Sequence, residues 1–358
     1  MYTKIKRSIH VRINTIKVMN NLLETLKRYE TGGWVYLQVH PTLPLTIWNY
    51  SQTTQYERKW DEITLMCRGL VTDDKGNVIA RPFKKFFNIE EGEHTPTPKF
   101  DVYEKMDGSL GILFSYKGEW IFASRGSFTS EHSREFKEIF SEMYNSEDLS
   151  RGYTYMFEII FPENRIVCDY EGLRDVVLLG CVETTDGYEV DVHTPYYESR
   201  FNVVKKYDGI RDFTKLKDQI GKNREGYVIR FSNGDRCKIK GEEYIRLHRI
   251  MTQVSTTSIW DVLANGGSME NLLKDVPDEF YNKISEYENE LIEHYNFLDS
   301  SIRAEFKIIN KRLGEVDQKT FALYITKNPF KSFLFSLRAG RDISEMIWDW
   351  VKPDWELL

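Results

Sequence analysis

The chain has 358 residues, of which 41% are hydrophobic and 29% charged, and its formal net charge is −6. This length suffices for a sizeable core and predicts two domains. The composition argues against a protein that is basic over its whole surface, and no run reaches the ~18 apolar residues of a membrane span. The N-terminal segment lacks the apolar core and cleavage site of a signal peptide. The cysteines, Cys67, Cys168, Cys181 and Cys237, form no C-x-x-C pair, so we interpret them as reduced thiols in a cytosolic protein.

The charge is unevenly distributed along the chain. Residues 201–250 contain 13 Lys/Arg and 7 Asp/Glu, whereas residues 251–300 contain 2 and 10. This reversal of sign predicts a domain boundary near residue 250, with domains over 1–250 and 251–358. The basic segment is either a solvated surface or a face that binds phosphate, and charge alone leaves both interpretations open.

The first hundred residues alternate between helix and strand patterns. Apolar spacing predicts an amphipathic helix over 12–29 and a hairpin over 67–80. Cations and aromatic residues then alternate over 80–88. This alternation suits base stacking beside phosphates, but taken alone it favours a strand whose lysine stems cover apolar surface.

Residues 103–110 contain a lysine at the end of a predicted strand. Lys105 precedes a tight turn with Asp107 and Gly108, and a second strand follows over 110–116. Glycine lets backbone approach a ligand closely, and lysine is a nucleophile when its amine is neutral. The alternative is a hairpin with a solvated lysine, and the motif alone does not decide between them.

Carboxylates and lysines on later strands could be the partners of such a lysine. Glu158 lies inside an apolar strand, where a carboxylate is costly unless paired or functional. Glu225 begins another strand. Lys238 and Lys240 are two residues apart on a strand and share one face. Two like charges on one face repel each other, unless an anion lies between them.

Beyond residue 250 the pattern is helical. Apolar residues at steps of three and four predict a long helix over 284–313. Asp342 and Glu345 predict a capping box for a last helix that ends before Pro353. We find no strand-rich segment in this region.

This set of residues matches the needs of an amine that attacks the α-phosphate of a nucleotide. The amine must be neutral, and the phosphates need positive clamps. A divalent metal neutralises the pyrophosphate that leaves, and carboxylates hold or orient that metal.

In this order, the residues resemble the covalent nucleotidyltransferase superfamily of ligases and capping enzymes. Lys105-Met106-Asp107-Gly108-Ser109 resembles its first motif, Phe157-Glu158 the third, Glu225-Gly226-Tyr227-Val228 the fourth and Lys238-Ile239-Lys240 the fifth. Further details are similar to the bacteriophage RNA ligase 1 type, over residues 48–250: Cys67-Arg68-Gly69, Arg81-Pro82, Lys85-Phe86-Phe87-Asn88, Pro162, Asn164-Arg165-Ile166-Val167, Tyr244 and Leu247-His248. Arg125 stands where the phage enzyme has Lys, which changes the geometry of a phosphate contact more than its charge.

The resemblance implies a role for each matched position. Lys105 is the lysine that becomes adenylated, and Lys238 and Lys240 act catalytically on the α-phosphate. Glu158 contacts the ribose and Glu225 acts near the metal. The implied nucleotide site also includes Tyr50, Arg68, Lys85, Phe87, Asp107 and Gly108, and the implied RNA contacts are Ser109, Arg125 and Tyr244.

The resemblance further implies an α+β fold, with an N-terminal nucleotidyltransferase domain of antiparallel sheets and flanking helices, followed by an all-helical domain for RNA specificity. The expected enzyme is an ATP-dependent RNA ligase that uses ATP with Mg²⁺ or Mn²⁺ and joins 5′-phosphate to 3′-hydroxyl RNA ends, such as those of broken tRNA. We see no G-x-x-x-x-G-K-[ST] loop, so a separate end-processing kinase or phosphatase would supply the ends. We expect a monomer, without a membrane, in the cytoplasm of a bacterial or phage-infected cell.

Two alternatives remain at this point. A DNA ligase or a GTP-using capping enzyme shares these motifs, but it normally continues into a strand-rich barrel, which the helical pattern disfavours. A non-catalytic RNA-binding protein with a decayed site is the other alternative, and the intact lysines and glutamates argue against it.

Overall fold

The computed structural model describes residues 21–252, 255–273 and 281–353. The chain divides between His248 and Arg249 into two compact units. Its strands are β1 (Val35–Val39), β2 (Leu45–Tyr50), β3 (Arg68–Asp73), β4 (Val78–Ala80), β5 (Phe87–Asn88), β6 (Phe100–Lys105), β7 (Ser109–Tyr116), β8 (Glu119–Ser124), β9 (Tyr153–Ile160), β10 (Asp175–Glu183), β11 (Glu189–Val190), β12 (Lys206–Tyr207), β13 (Gly226–Phe231) and β14 (Arg236–Lys240).

The helices flank these strands and then fill the C-terminal unit. They are α1 (Leu22–Thr31), α2 (Gln52–Tyr56), α3 (Glu62–Met66), α4 (Glu131–Met143), α5 (Pro195–Glu198), α6 (Glu242–Thr252), α7 (Thr256–Ala264), α8 (Met269–Leu273), α9 (Tyr281–Leu313), α10 (Gln318–Ile325), α11 (Lys331–Arg338) and α12 (Ser344–Trp350). Short 3₁₀ turns lie at Ile89–Glu91, Ser146–Asp148, Pro162–Asn164, Phe213–Lys215 and Lys217–Gln219. The first part of the helix predicted over 12–29 lies outside the described residues.

Three sheets build the N-terminal unit. The first has the order β1-β2-β3-β4, the second β11-β10-β9-β7-β8 and the third β12-β6-β13-β14-β5. Neighbouring strands are antiparallel except β14 and β5, which run parallel. The turn after β6 leads directly into β7, so the chain passes there from the third sheet to the second.

Aromatic packing fixes the second sheet against helix α4. Phe136 and Phe140 on the helix contact Phe157 of β9, with ring centroids 5.4 and 5.7 Å away. All three side chains are buried. Burying rings of this size stabilises the sheet strongly, so its strand ends can carry functional groups in fixed positions.

The C-terminal unit packs shorter helices against the long helix α9. Ile302 and Ile309 of α9 are buried in two apolar clusters, with Phe333 in one and Phe321 in the other. The predicted capping box was wrong, because α12 begins after Ile343 without a side-chain cap. Asp342 instead accepts a bond from the Ser344 hydroxyl at 3.0 Å.

The predicted α+β fold, with antiparallel sheets followed by a helical region, is confirmed. After β14, the described part of the chain contains helices and no strand. Within the same ranges, none of the helices has the length and apolarity needed to cross a bilayer.

Candidate active site

Strand register places the candidate nucleophile beside its predicted partners. Lys105 at the end of β6 pairs with Gly226 of β13, which in turn pairs with Lys240 of β14. Glu225 immediately precedes Gly226, so its carboxylate lies between two lysines. Its Oε1 is 2.7 Å from Lys105 Nζ and 3.5 Å from Lys240 Nζ. The Glu225 carboxylate and the Lys238 side chain, on the same strand as Lys240, are both buried.

Glycine is required at two points of this arrangement. Gly226 has a φ of +152°, and a Cβ there would lie 1.9 Å from the Ile239 carbonyl oxygen. A Cβ at Gly108 would lie 2.6 Å from the Ile159 carbonyl oxygen. Any side chain would therefore push apart the strands that carry Lys105, Glu225 and Glu158.

Glu158 reaches the same place from the second sheet. Its Oε1 accepts a hydrogen bond from the Gly108 amide at 3.0 Å, which ties the turn after Lys105 to β9. Burial raises the pKa of Glu158 to about 7; the Lys105 ammonium opposes this shift and the Glu225 carboxylate adds to it. The carboxyl therefore holds a proton more readily than an ordinary glutamate near neutral pH.

A cleft of about 620 Å³ opens in front of Lys105, lined by residues of all three sheets. Six predicted site residues line it: Arg68, Lys105, Gly108, Ser109, Arg125 and Glu158. Arg68, Lys105 and Arg125 supply hydrogen-bond donors for an anion, and Phe86 lies below the Arg68 guanidinium at 5.5 Å. The cleft thus offers cations, a carboxyl and a nucleophile to one ligand.

Lys85 lies in a box of three aromatic rings. Its Nζ is 5.4 Å from the Tyr50 centroid, 5.5 Å from that of Trp60 and 5.4 Å from that of Phe87. The Arg125 guanidinium lies 5.8 Å from the same Tyr50 ring. The box, defined here as Tyr50, Trp60 and Phe87, therefore positions one cation and connects it to a cation of the cleft.

Asp107 and Tyr244 lie behind the turn rather than in the cleft. Both are buried, and the Tyr244 hydroxyl donates to Asp107 Oδ1 at 2.7 Å. Asp107 Oδ2 accepts from the backbone amides of Val167 and Cys168, each at 2.8 Å. Burial and the neighbouring carboxylates raise the pKa of Tyr244. This burial does not support the predicted RNA contact of Tyr244, because the side chain offers no surface to RNA; it is placed instead to hold the turn.

The described residues fit a metal that arrives with a nucleotide. They contain no group of three or more His, Cys, Asp or Glu side chains that could hold an ion alone. The Glu225 carboxylate contacts Lys105 at 2.7 Å, and Glu158 lies close enough to Lys105 for the ammonium to lower its pKa. Magnesium is often held by one or two carboxylates together with substrate phosphates, which is the arrangement these two could supply.

Comparison with known proteins decides the family. A family model described as RNA ligase matches residues 66–244, half of the chain. The chain belongs to this RNA ligase family. The match includes every catalytic residue predicted from the sequence.

Two relatives of this RNA ligase family member come from viruses. A putative bifunctional polynucleotide kinase/RNA ligase of Autographa californica nuclear polyhedrosis virus is 27% identical over 255 residues, which cover 62% of this chain and 36% of that protein. The RNA ligase of Rhodothermus phage RM378 is 23% identical, with 79% and 83% covered. The chain therefore spans about a third of the first relative and most of the second.

Among solved structures, an archaeal ATP-dependent RNA ligase superposes with a TM-score of 0.49 and 16% identity, covering 75% of each chain.

The sequence reasoning missed three side chains that complete the site in this RNA ligase family member. Trp60 closes the aromatic box, and it precedes Lys85 by 25 positions with no motif of its own. His132 lines the cleft from the first turn of α4, and Asn164 bonds to it. Asn164 lay in a matched motif, so its chemistry could have been noticed; His132 had no signal in a single sequence.

Proposed function

We propose that this protein is an ATP-dependent RNA ligase that works through a lysyl-AMP intermediate on Lys105. The observation that supports this most is the register Lys105–Gly226–Lys240. With this register, the Glu225 carboxylate contacts both Lys105, which lines the cleft, and Lys240. Family membership supports RNA as the substrate.

In the first step, Lys105 Nζ attacks the α-phosphorus of ATP. A P–N bond forms, the bond from that phosphorus to the bridging oxygen breaks, and pyrophosphate leaves. Lys105 must first lose a proton to solvent, and Glu225 Oε1, 2.7 Å from its Nζ, would hold the amine in position. Lys238, Lys240 and Arg68 would stabilise the negative charge that develops on the phosphate oxygens.

The second and third steps reuse the same groups. A 5′-phosphate oxygen of RNA attacks the phosphorus bound to Lys105, the P–N bond breaks, and the lysine recovers a proton. The 3′-hydroxyl of the other strand then attacks the 5′-phosphorus of the RNA-adenylate. A phosphodiester forms and AMP leaves, which the same cations would assist.

A divalent cation, Mg²⁺ or Mn²⁺, fits this proposal. Glu225 and Glu158 would hold it together with the phosphates of ATP, where it neutralises the charge of the leaving pyrophosphate. Lys105 and Lys240 already neutralise Glu225 in its absence. The buried carboxylate therefore keeps a cationic partner throughout.

Labelled ATP tests the proposal directly. Protein incubated with ATP labelled at the α-phosphate and a divalent cation should retain label after denaturation, whereas label at the γ-phosphate should be lost. Lys105→Ala should abolish retention, since the attacking nitrogen is gone. It should also abolish the sealing of 5′-phosphorylated RNA.

Lys99→Ala is the matched control. Lys99 lies just before the same strand, and its side chain is exposed. This variant should be labelled like the wild type. If Lys105→Ala protein still retains α-label, another residue carries the AMP.

The proposal distinguishes this chain from the alternatives named above. A DNA ligase or capping enzyme would seal nicked DNA or transfer GMP, so DNA nicks and labelled GTP belong in the same assay. A non-catalytic RNA-binding protein would bind RNA and retain no label. Retention of label from ATP, together with sealing of RNA ends, excludes the DNA ligase, the capping enzyme and the non-catalytic RNA-binding protein.

We further propose that the ends come from a separate enzyme and that broken tRNA is the class of substrate. The baculovirus relative is a putative bifunctional polynucleotide kinase/RNA ligase, and the sequence of this chain shows no phosphate-binding loop of the G-x-x-x-x-G-K-[ST] type. All four cysteines are buried free thiols, which suits a monomer in the reducing cytoplasm of a bacterial or phage-infected cell.

The C-terminal unit is proposed to select the RNA. Around the end of α9, Ile308 and Tyr324 are exposed, and the Arg312 guanidinium donates to the Tyr324 hydroxyl at 3.2 Å. Lys307 and Lys311 are exposed on the same helix. Cations beside an exposed aromatic ring can bind the phosphates and stack the bases of unpaired RNA.

A further inference from the structure

One corner of the cleft is built from Ser109, Asn164 and His132. Asn164 ends the turn Pro162–Asn164, and its Nδ2 donates to the Ile159 carbonyl oxygen at 3.0 Å. A backbone carbonyl oxygen only accepts hydrogen bonds. The amide of Asn164 therefore has one allowed orientation, with Oδ1 turned toward Ser109 and His132.

The orientation of Asn164 fixes the hydrogens of its two neighbours. Oδ1 accepts from the Ser109 hydroxyl at 3.2 Å and lies 2.8 Å from His132 Nε2, which must therefore carry a hydrogen. Ser109 has no second proton to donate. What remains for a ligand is the lone pairs of Ser109 Oγ and, while the imidazole is neutral, of His132 Nδ1.

Both side chains line the cleft, and a carboxyl group lies nearby. Ser109 pairs with Ile159, the residue after Glu158, across β7 and β9. Glu158 lines the same cleft. This corner thus presents acceptors, whereas Arg68, Arg125 and Lys105 supply the donors that a phosphate needs. A hydroxyl group, which has a proton to give, fits the corner better than an anion does.

We propose that Ser109, held by Asn164 and flanked by His132, binds a ribose hydroxyl and lets the enzyme distinguish ribose from deoxyribose. This inference rests on the proposed ligase function. The hydroxyl belongs either to ATP or to the 3′-terminal nucleotide of the RNA, since both substrates must approach Lys105. The 2′-hydroxyl is the group by which a protein distinguishes RNA from DNA at one position.

The experiment compares substrates that differ only in one 2′-hydroxyl. In one arm, ligase seals a pre-adenylated strand to RNA whose terminal nucleotide carries either 2′-OH or 2′-H, with its 3′-OH kept. In the other arm, self-adenylation is measured with ATP and with 2′-deoxy-ATP. The wild-type rate with the 2′-hydroxyl substrate should exceed the rate with the 2′-deoxy substrate about tenfold in at least one arm. The arm that shows this preference tells whether the bound ribose belongs to the RNA or to ATP.

Ser109→Ala should reduce that preference to about onefold to twofold, because its acceptor is gone. Ser124→Ala is the control: Ser124 lines the same cleft, but its hydroxyl bonds within the loop to Ser127 and Ser130, so the preference should persist. If Ser109→Ala is insoluble, Asn164→Ala replaces it, since it frees the serine hydroxyl to rotate and should also lower the preference.

Two results would overturn the inference while leaving the ligase function intact. One is a wild type that seals RNA without preference in either arm. The other is a soluble Ser109→Ala, or Asn164→Ala in its place, that keeps the full preference. Wild-type protein that neither retains AMP nor seals RNA would instead refute the proposed function, and this inference with it.

Discussion

Glu158 illustrates how a functional residue lowers the stability of its own fold. Its pKa rises from the ordinary 4.5 to about 7, chiefly through burial. The folded protein therefore binds this proton more tightly than the unfolded chain does. As the pH rises from about 4.5 to about 7, the unfolded state loses the proton first, so the free energy of unfolding falls. Above pH 7 the full cost of the buried charge is present.

Glu158→Gln should therefore stabilise the protein at pH 8, by roughly 1–3 kcal/mol. The gain should shrink toward pH 4.5, where both states hold the proton in the wild type. Urea unfolding at pH 5 and pH 8 measures the difference. Glu119→Gln, at an exposed residue that begins β8, should show no such pH dependence. A Glu158→Gln protein less stable than wild type at pH 8 would mean that the attraction of Lys105 outweighs burial.

The aromatic box makes a separate prediction about Lys85. Replacing Trp60 with Leu removes one of three rings around the Lys85 ammonium, each worth roughly 0.5–2 kcal/mol when desolvated. If Lys85 binds the triphosphate, Trp60→Leu should lower the rate of self-adenylation at limiting ATP about threefold to thirtyfold. Label retention over a series of ATP concentrations measures this.

Trp34→Leu is the matched control, because the Trp34 ring also lies near a lysine, with Lys59 Nζ at 5.7 Å from its centroid. The two clusters differ in their link to the cleft: the Tyr50 ring of the box also contacts Arg125, which lines the cleft. Equal rates for both variants would show that the box is only packing and that the position of Lys85 does not matter for ATP.

Side chains that contact the cleft were predictable where they belong to a local motif. Lys105, Gly108 and Ser109 are consecutive or nearly so, and their turn geometry could be inferred from one glycine. Trp60, which lies just before α3, and His132, in the first turn of α4, are brought in by long-range packing, and such placement leaves no trace in local spacing. The surroundings of Asp107 were unpredictable for the same reason. Its hydrogen-bond partners Tyr244, Val167 and Cys168 are far away in sequence and hold its carboxylate behind the turn.

At the scale of elements, the site depends on the pairing of β13 with its two neighbours. Gly226 joins Lys105 and Lys240 in register, and its backbone passes closer to Ile239 than any Cβ allows. The strands themselves were predicted from the sequence, with Glu225 at the start of one and Lys238 and Lys240 on one face of the other. Their register with β6 was not predictable, because β6 lies more than a hundred residues earlier and sequence patterns carry no information about which distant strand is a neighbour.

Gly226→Ala should abolish self-adenylation and destabilise the protein by roughly 2–4 kcal/mol, because the new Cβ forces β13 and β14 apart. Denaturant unfolding and label retention test both effects. Gly234→Ala is the control: it also has a positive φ, +91°, but open space around it. It should cost about 1 kcal/mol and keep adenylation. A Gly226→Ala protein that adenylates normally would show that the register does not position Lys105.

For the whole molecule, the charge reversal near residue 250 coincides with the division between two compact units at His248. The chemistry-bearing residues all precede this point, and the long helix α9 changes from acidic to basic along its length. Its residues 281–299 hold five acidic residues and one lysine: Glu286, Glu288, Glu290, Glu293, Asp299 and Lys283. Its residues 300–313 hold four basic residues and one glutamate: Arg303, Lys307, Lys311, Arg312 and Glu305. Acidic surface repels RNA phosphates, so only the basic end suits RNA.

A chain that ends at Thr252 tests whether self-adenylation belongs to the N-terminal unit and RNA selection to the C-terminal unit. Because α6 ends there, the truncation leaves this helix intact. We expect the shortened protein to retain label from ATP, since Lys105, Glu158, Glu225, Lys238 and Lys240 are all kept. Its relative rates on structured and unpaired RNA should change, because the exposed cations and Tyr324 are lost. Arg312→Ala with Tyr324→Ala in the full chain should shift the same ratio without affecting adenylation. A folded truncation that no longer adenylates would assign the helices to the catalytic unit. Unchanged RNA preferences in the truncation and in the double variant would show that the C-terminal unit does not select the substrate.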